Sequence, residues 1–468
     1  MKSRMFFSVG RNWLLALCAV GSQVANAETV QLNLEKAIEY AVKQNPSVRI
    51  ANQDIELKKL ADKETTEGLY PTLDFTGSFT HNFKVQTIHM MDRDIKMGSP
   101  NTVNAGLALN IPVYSPSLYK TMKLTKTDIS LAVEASRSSK LDLIKQVSKA
   151  YYQLLLAQDS YEVLAASYSV AEQNYKVISD KFDQGRVSEY DKISAEVQAR
   201  NIKPQVVSAK NSIALAKLQL KVLMGMDSNV EIEVNDKLEN YEAQLKDQIQ
   251  MSSLSLEDNT TLRQLDLNQQ MLNHNLAISK TSFLPTVSLS GAYLYTSMSD
   301  NWNLFKYKYN PYVYATLNVT IPIFRAKNWT SLKKVKMQQR ELALNRTNAE
   351  RQINMQVQTY LDNMSASQEQ VESNKEAVVK SEKARTIAEK RYEVGKGTIL
   401  ELNSSVVDVT SAKLTYKQSI YDYLSARTDL NYVLGHESKY LEMEPEDDGS
   451  VLKAKKPAKE NANNNDNK

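Results

Sequence analysis

LNIPVY at 109–114 and VTIPIF at 319–324 are nearly the same phrase, set 210 residues apart. Each ends an alternating run with a proline, which cannot donate to a sheet ladder and so belongs at strand ends or edges. The same offset relates Gly185 to Gly395 and Gly225 to Gly435, while Asn45 to Pro71 and Asn259 to Pro285 both span 26 residues. YPTLDFTGSFT (70–80) answers LPTVSLSGAYL (284–294). Spacing held over so many landmarks marks a tandem duplication: whatever one half builds, the other builds again.

Each half follows one plan. A helical stretch (34–69 or 256–283) leads into two alternating runs, at 72–85 and 101–114 or at 286–297 and 311–324. A long polar-amphipathic segment follows (117–183 or 326–394), then a glycine-containing turn and another helix (188–224 or 398–434). With 13 Gly and 11 Pro in 468 residues, the chain has little turn chemistry and favours long helices. As helices the long segments would reach about 100 Å each, and the two shorter helices of a half, end to end, would match one of them. The expected organisation is a first structural repeat over 28–225, with a β-hairpin at 72–114 and a helix tip near 185. A linker or equatorial region (226–255) precedes the second repeat (256–435), with its hairpin at 286–324 and tip near 395. An extension, 436–468, ends in a low-complexity tail.

The alternating runs separate two faces. Leu73, Phe75, Gly77, Phe79 and Phe83 oppose Thr72, Asp74, Thr76, Ser78 and Thr80; Val313, Ala315, Leu317 and Val319 oppose Tyr312, Tyr314, Thr316 and Asn318. An apolar and a polar face over about ten residues is the membrane-barrel pattern. Phe83, Tyr114, Trp302, Tyr307, Tyr309 and Phe324, near the strand ends, suit interfacial girdles. A soluble sandwich is the bland alternative. The export signal and the isolation of the hairpins between long helices weigh against it. Four strands cannot close a barrel, and a lone lipid-facing sheet would leave its edges unpaired. Two copies would give eight strands and a filled interior, whereas three give twelve and a wet channel. The expected fold is mainly α with a β-barrel portion: four strands per protomer in a twelve-stranded trimeric barrel, continued by long helices as an α-barrel tube.

Lys2, Arg4 and Arg11, the apolar stretch Trp13 to Val20 and Ala25-Asn26-Ala27 compose a signal peptide over 1–27. The only cysteine, Cys18, lies inside it; Leu17 is bulky for a lipidation site, which disfavours lipidation of that cysteine. The mature chain therefore has no disulfide and no cysteine nucleophile. A net charge of +4 from 58 basic and 54 acidic residues gives no reason to expect nucleic acid. His81, His89, His274 and His436 are scattered without metal-ligand spacing, and there is no P-loop, nucleophile elbow or dinucleotide turn. No enzyme, cofactor or metal site is expected. HMMDRDIKM (89–97) offers soft ligands, but an ordinary exposed loop is the better reading. Gly185-Arg186-Val187-Ser188 and Gly395-Lys396-Gly397-Thr398 read as helix-turn-helix tips, with glycine for the left-handed turn and Ser188 or Thr398 capping the next helix.

From Leu32 to Gly435 the chain resembles the TolC-like outer membrane efflux family. The resemblance is carried by LNLEKAIEYAVKQNPSV, the paired YPTL and LPTV, the two IP strand ends and the tips KFDQGRVSEYDKISAEVQA (181–199) and RYEVGKGTILELNSSVVDV (391–409). It implies a homotrimer in outer membrane lipid, a tube across the periplasm, and docking to a periplasmic adaptor protein and an inner-membrane pump. The chain would then be a passive channel-tunnel in tripartite export, gated at the periplasmic helix tips. The resemblance assigns the constriction to Tyr392, Asp191 and Glu401, and adaptor contact to Gly185, Arg186, Val187, Ser188, Gly395, Lys396, Gly397 and Thr398. Three copies of Asp191 around one axis would attract cations and hold protons more tightly. The chain departs from one well-known member at Gly397, where that member has arginine, and at Ser404, where it has aspartate. Lys396, Arg391 or Arg186 would have to replace the missing cation. The alternative is a structural or adhesive coiled-coil protein without a pore, which does not account for paired barrel-type strands.

Overall fold

The computed structural model describes residues 30–90, 93–246, 255–436 and 438–443. The expected signal peptide, Cys18, Met91 and the lysine-rich tail lie outside them. The chain opens with β1 (Val30–Leu32), α1 (Leu34–Gln44), α2 (Pro46–Glu67) and β2 (Thr72–His81). A small hairpin, β3 (Thr87–Met90) and β4 (Arg93–Lys96), precedes β5 (Asn101–Tyr114), α3 (Pro116–Asp183) and α4 (Glu189–Met224). After β6 (Ile232–Val234) and a 3-10 segment (Leu238–Lys246) come α5 (Thr260–Thr281), β7 (Thr286–Ser299) and β8 (Asn310–Thr320). The last elements are α6 (Ala326–Glu393), α7 (Ile399–Leu434) and α8 (Ser438–Leu441).

The duplication is kept to the residue in the helices. α3 and α6 are both 68 residues long, about 100 Å at 1.5 Å per residue; α4 and α7 are both 36, and α2 and α5 both 22. The expected helix over 34–69 instead breaks at Asn45. The cause is local: Asn45 precedes Pro46 and is pushed out of the helical region, to φ −64° and ψ 127°. The strand expected at 311–324 ends at Thr320, so Ile321 to Phe324 leave the sheet, and Pro322 lies beyond its edge strand. Pro112 stays inside β5, at an irregularity in the pairing with β7.

The order of elements across the sheet continues through the helices. The strands run β2-β5-β7-β8, all antiparallel. Beyond them the helices lie side by side as α2-α3-α5-α6, and further along as α4-α3-α7-α6. α2 and α4 thus occupy one lane of the wall, and α5 and α7 another. A protomer is a strip four lanes wide, flanked by β2, α2 and α4 on one side and by β8 and α6 on the other.

Within a lane, two asparagines join the helices end to end. Asn45 Oδ1 accepts the Ser47 N–H at 2.8 Å, capping α2, while its Nδ2 donates to the Leu223 carbonyl of α4 at 2.8 Å. Asn259 does the same in the other repeat, accepting from Leu262 N at 3.0 Å and donating to Val433 O at 2.7 Å. One amide therefore supplies both an orphan helix start and an orphan helix end with partners.

The largest apolar core lies at mid-length. It joins Leu143 to Leu156 of α3 with Ile420, Leu424 and Leu430 of α7, and with α1 and the parallel pair β1–β6. Tyr151, Leu154 and Leu155 are wholly buried there, each contributing about 1.5–3 kcal/mol. The 3-10 segment and its approach are pinned over this core by polar contacts. Tyr151 Oη donates to Asp236 Oδ2 at 2.6 Å, Lys417 Nζ meets Glu239 Oε1 at 2.8 Å, and Lys375 Nζ meets Glu242 Oε2 at 2.7 Å.

Candidate functional site

Two places concentrate the features expected of a conduit: the helix tips and the sheet. At the first tip Gly185 takes φ +70° and Arg186 N donates to Lys181 O at 2.9 Å. At the second Gly395 takes φ +73°, and Lys396 N and Gly397 N both donate to Arg391 O, at 2.8 and 3.0 Å. These left-handed caps reverse the chain within a few residues, as a Schellman ending does. Ser188 Oγ then accepts from Asp191 N, and Thr398 Oγ1 from Glu401 N, each at 3.2 Å. Asp191 and Glu401 therefore stand at the third position of α4 and α7, where a carboxylate also complements the helix dipole.

The tips meet through a small core of Ile178, Ala195, Ile399 and Leu402, against which Tyr175, Val187 and Tyr392 pack. Gly185, Arg186, Ser188, Gly395, Lys396 and Thr398 are exposed, whereas Val187 and Gly397 are half-buried. A Cβ at Gly397 would come within 3.1 Å of Arg391 Cβ and Tyr392 N, so an arginine there would first have to displace its own helix end.

The Asp191 charge reaches Tyr392, whereas Glu401 stands apart. The Tyr392 hydroxyl is buried and has no hydrogen-bond partner among the described residues. Burial raises its pKa above the usual tyrosine value, and the Asp191 charge adds to the rise. Glu401 lies instead beside Arg391, with Nη1 to Oε2 at 3.6 Å, in a groove of about 540 Å³ between α6 and α7. Arg391 also donates from Nη2 to the Lys396 carbonyl at 3.2 Å. Of the three cations named as substitutes, Arg391 is the one placed against an acidic tip residue. Spacing alone does not reveal Lys181, whose Nζ sits 5.7 Å from the Tyr392 ring, or the bond from Asn403 Nδ2 to Ser194 O at 3.4 Å across the hairpins.

The register sorts the sheet's faces. Leu73 pairs with Leu109, Leu109 with Gly291 and Gly291 with Ala315; Phe75 pairs with Leu107, Leu107 with Tyr293 and Tyr293 with Val313. The opposite face carries rows such as Thr72-Asn110-Ser290-Thr316 and Asp74-Ala108-Ala292-Tyr314. The apolar face is bare: Phe75 is 75% exposed, Val313 66% and Leu317 62%. Asp74 is the single Asp, Glu, Lys or Arg in these four strands. Of the expected girdle residues Tyr307 departs: it is buried, its hydroxyl donating to the Asn301 carbonyl.

No described helix is long and apolar enough to cross a membrane. Among the described residues no group of three His, Cys, Asp or Glu side chains could hold a metal ion.

The sequence model of the family described as outer membrane efflux protein matches residues 37–226 and 251–436. The chain is 21% identical over 374 residues to the outer membrane protein TolC of Vibrio cholerae, covering 78% of this chain and 82% of the relative. To TolC of Escherichia coli it is 22% identical over 426 residues, covering 86% and 82%. Its fold is similar to the CmeC outer membrane channel of Campylobacter jejuni, with a TM-score of 0.68, 18% identity and coverage of 86% and 85%.

Proposed function

This chain belongs to the outer membrane efflux protein family, and from that premise we propose that three copies close into one duct that carries cargo from a periplasmic adaptor and an inner-membrane pump to the outside. The outer membrane is its place, and it conducts rather than catalyses.

The observation that carries the threefold reading is the open strip. Among the described residues β2 and β8 are edges without partners, and the sheet between them has one face too apolar for water. The helical part is equally unfinished on its flanks. α6 exposes Trp329, Met337, Leu344 and Met355, and α4 exposes Leu215, Leu218 and Val222. A copy on either side pairs the edges and covers both flanks; three copies make twelve strands around water. The polar face, with Thr72, Thr76, Ser78, Asn104, Ser290 and Thr316, becomes the lumen.

At the other end the tips form the gate. Tyr392 and Asp191 are its constriction, with the Arg391–Glu401 pair holding the second hairpin closed beside them. The exposed tip residues Gly185, Arg186, Ser188, Gly395, Lys396 and Thr398 meet the adaptor. Val187 and Gly397 shape the turns from inside.

The test is single-channel recording on the purified, cross-linkable trimer in planar bilayers. Replacing Asp191 and Glu401 together by Ala should raise conductance or weaken cation selectivity. Unchanged conductance and selectivity would remove the gate assignment, and a monomer that enters no bilayer would remove the duct.

A further inference from the structure

Each strand pair joins its helices at one end and turns at the other, so the loops 82–100 and 300–309 lie at the end of the barrel away from the tube. Here the two repeats are tied by one side chain. Asn101, wholly buried, lies with Oδ1 2.6 Å from His81 Nδ1 and donates from Nδ2 to Asn301 O at 3.1 Å. Tyr307 donates to the same Asn301 carbonyl. On this frame sits an ordered aromatic cluster. The His81 ring stacks on Trp302 with centroids 4.6 Å apart and meets Phe83 edge-on at 4.9 Å; Phe79 lies 6.1 Å from Trp302. Trp302, from the second repeat, has reached past β5 to the first.

The cluster continues the bare apolar face, because Phe79 and His81 have the parity of Leu73 and Phe75. Yet it is far more exposed than a satisfied core, with Phe83 at 97% and Trp302 at 66%. The two loops that carry it also hold charge that the four strands, Asp74 aside, lack. Loops 82–100 and 300–309 hold five Lys or Arg against three Asp. Exposed Lys84 follows Phe83 directly, and exposed Lys306 and Lys308 flank the buried Tyr307.

Interfacial girdles place aromatic rings at headgroup depth. Here the buried Asn101 amide holds His81, the exposed rings of Trp302 and Phe83 gather on that imidazole, and Lys84, Lys306 and Lys308 follow in the same two loops. Ring faces suit the C–H surface of a sugar, and ammonium groups suit phosphate. We propose that the His81–Trp302–Phe83 cluster, with Lys84, Lys306 and Lys308, binds the phosphorylated sugar headgroup of a glycolipid in the outer leaflet. The site rests on the reading that this sheet joins a membrane barrel. Continuity with the lipid-facing surface sets its depth and favours a lipid over a soluble partner.

Native mass spectrometry of the full-length trimer, titrated with lipid A, with dephosphorylated lipid A and with phosphatidylglycerol, tests this. Lipid A should be retained at about tenfold lower concentration than phosphatidylglycerol, the size expected of ring stacking plus charge-assisted contacts. Joint replacement Trp302→Ala and Phe83→Ala should bring that preference to within about twofold. Joint replacement of the three lysines by Gln should weaken lipid A but leave dephosphorylated lipid A unchanged. Trp302→Phe, which keeps a ring, guards against a misfolded loop and should keep most of the preference. Equal retention of all three lipids by the unaltered trimer, or a preference untouched by the aromatic changes, would overturn the site while leaving the duct intact. Failure to enter any bilayer would overturn both.

Discussion

The first and second helical hairpins have identical lengths and opposite burial. The long helix of the first, α3, buries 23 residues, while its copy α6 buries four. The short helices reverse the pattern: α4 buries seven and α7 fifteen. Lane order explains the inversion. α3 and α7 occupy inner lanes of the strip, and α4 and α6 are its flanks. Duplication thus fixed the length and turns of each hairpin, whereas position in the wall decided which copy became core. The lesson is that equivalent residues in the two repeats face different solvents, and substitutions at paired positions should show it.

Lys417 and Val207 are such a pair, with the chemistry inverted. Lys417 is buried between Asp159, at 2.9 Å, and Glu239, at 2.8 Å; Val207 is 54% exposed. Burial alone would lower the lysine pKa, but the hydrogen bonds it donates to Glu239 and Asp159 outweigh it and raise the value. Lys417→Met should cost about 3–5 kcal/mol, because it strands Asp159, itself only 4% exposed, without the cation it pairs with. Val207→Lys, on the α4 flank that a neighbouring copy would cover, should cost less, about 1–3 kcal/mol. Thermal unfolding of the trimer reads both, and equal shifts would break the comparison.

The sheet offers the next contrast. Leu109 and Val319 are equivalent residues on the apolar face of an inner and an edge strand, and Thr316 lies on the polar face. Arginine at Leu109 or Val319 should cost about 2–4 kcal/mol and sharply lower the yield of inserted trimer, whereas Thr316→Arg should insert nearly normally. Equal tolerance would mean that the faces are reversed.

At the helix junctions the repeats differ only in tightness. Gly225 (φ +71°) and Gly435 (φ +74°) both end a short helix in the left-handed region. A Cβ would stand 2.9 Å from Gln44 O at the first and 2.2 Å from Asp258 O at the second. Alanine at Gly225 should cost about 1–2 kcal/mol from backbone strain and a small shift of the Gln44 carbonyl, and alanine at Gly435 about 2 kcal/mol more, since the Asp258 backbone must move much further. Differential scanning calorimetry on the two variants would show the difference.

Much of this was legible in the sequence, for identifiable reasons. Period two over 72–80 and 311–320 marked the strands and their faces, because a strand's register leaves its faces no freedom. The absence of breakers marked the long helices to within a residue or two. The junction asparagines and glycines were visible as landmarks of the repeat, but their roles depend on two segments 178 and 174 residues apart meeting end to end. The Lys417 cluster was hidden for the same reason, as three elements contribute its charges. Of the proposed gate, the resemblance named Asp191, Glu401 and Tyr392, but their partners could not be read from the sequence: Glu401 lies beside Arg391, and the Asp191 charge acts on Tyr392.

The smallest expected effect concerns acid. Glu239 belongs to the segment pinned over the core and has no charge clamp of this kind in the first repeat, where Val207 replaces Lys417. Its pKa is lowered from 4.5, first by the hydrogen bond from Lys417, against desolvation, with the charges of Lys417, Lys237 and Lys375 adding to the decrease. A carboxylate depressed on folding stabilises the fold above its unfolded pKa, and that contribution is lost as pH falls through the folded value. The side chain is 53% exposed, so solvent screening limits the effect to about 1 kcal/mol or less. Hydrogen exchange over Leu238–Lys246, corrected for the intrinsic pH dependence of exchange, should therefore accelerate below pH 4.5. Glu239→Gln should flatten this response, while exchange at the α4–α2 junction, whose clamp is an uncharged amide, should show no such step. A step at both places would mean that acid loosens the whole strip rather than one clamp.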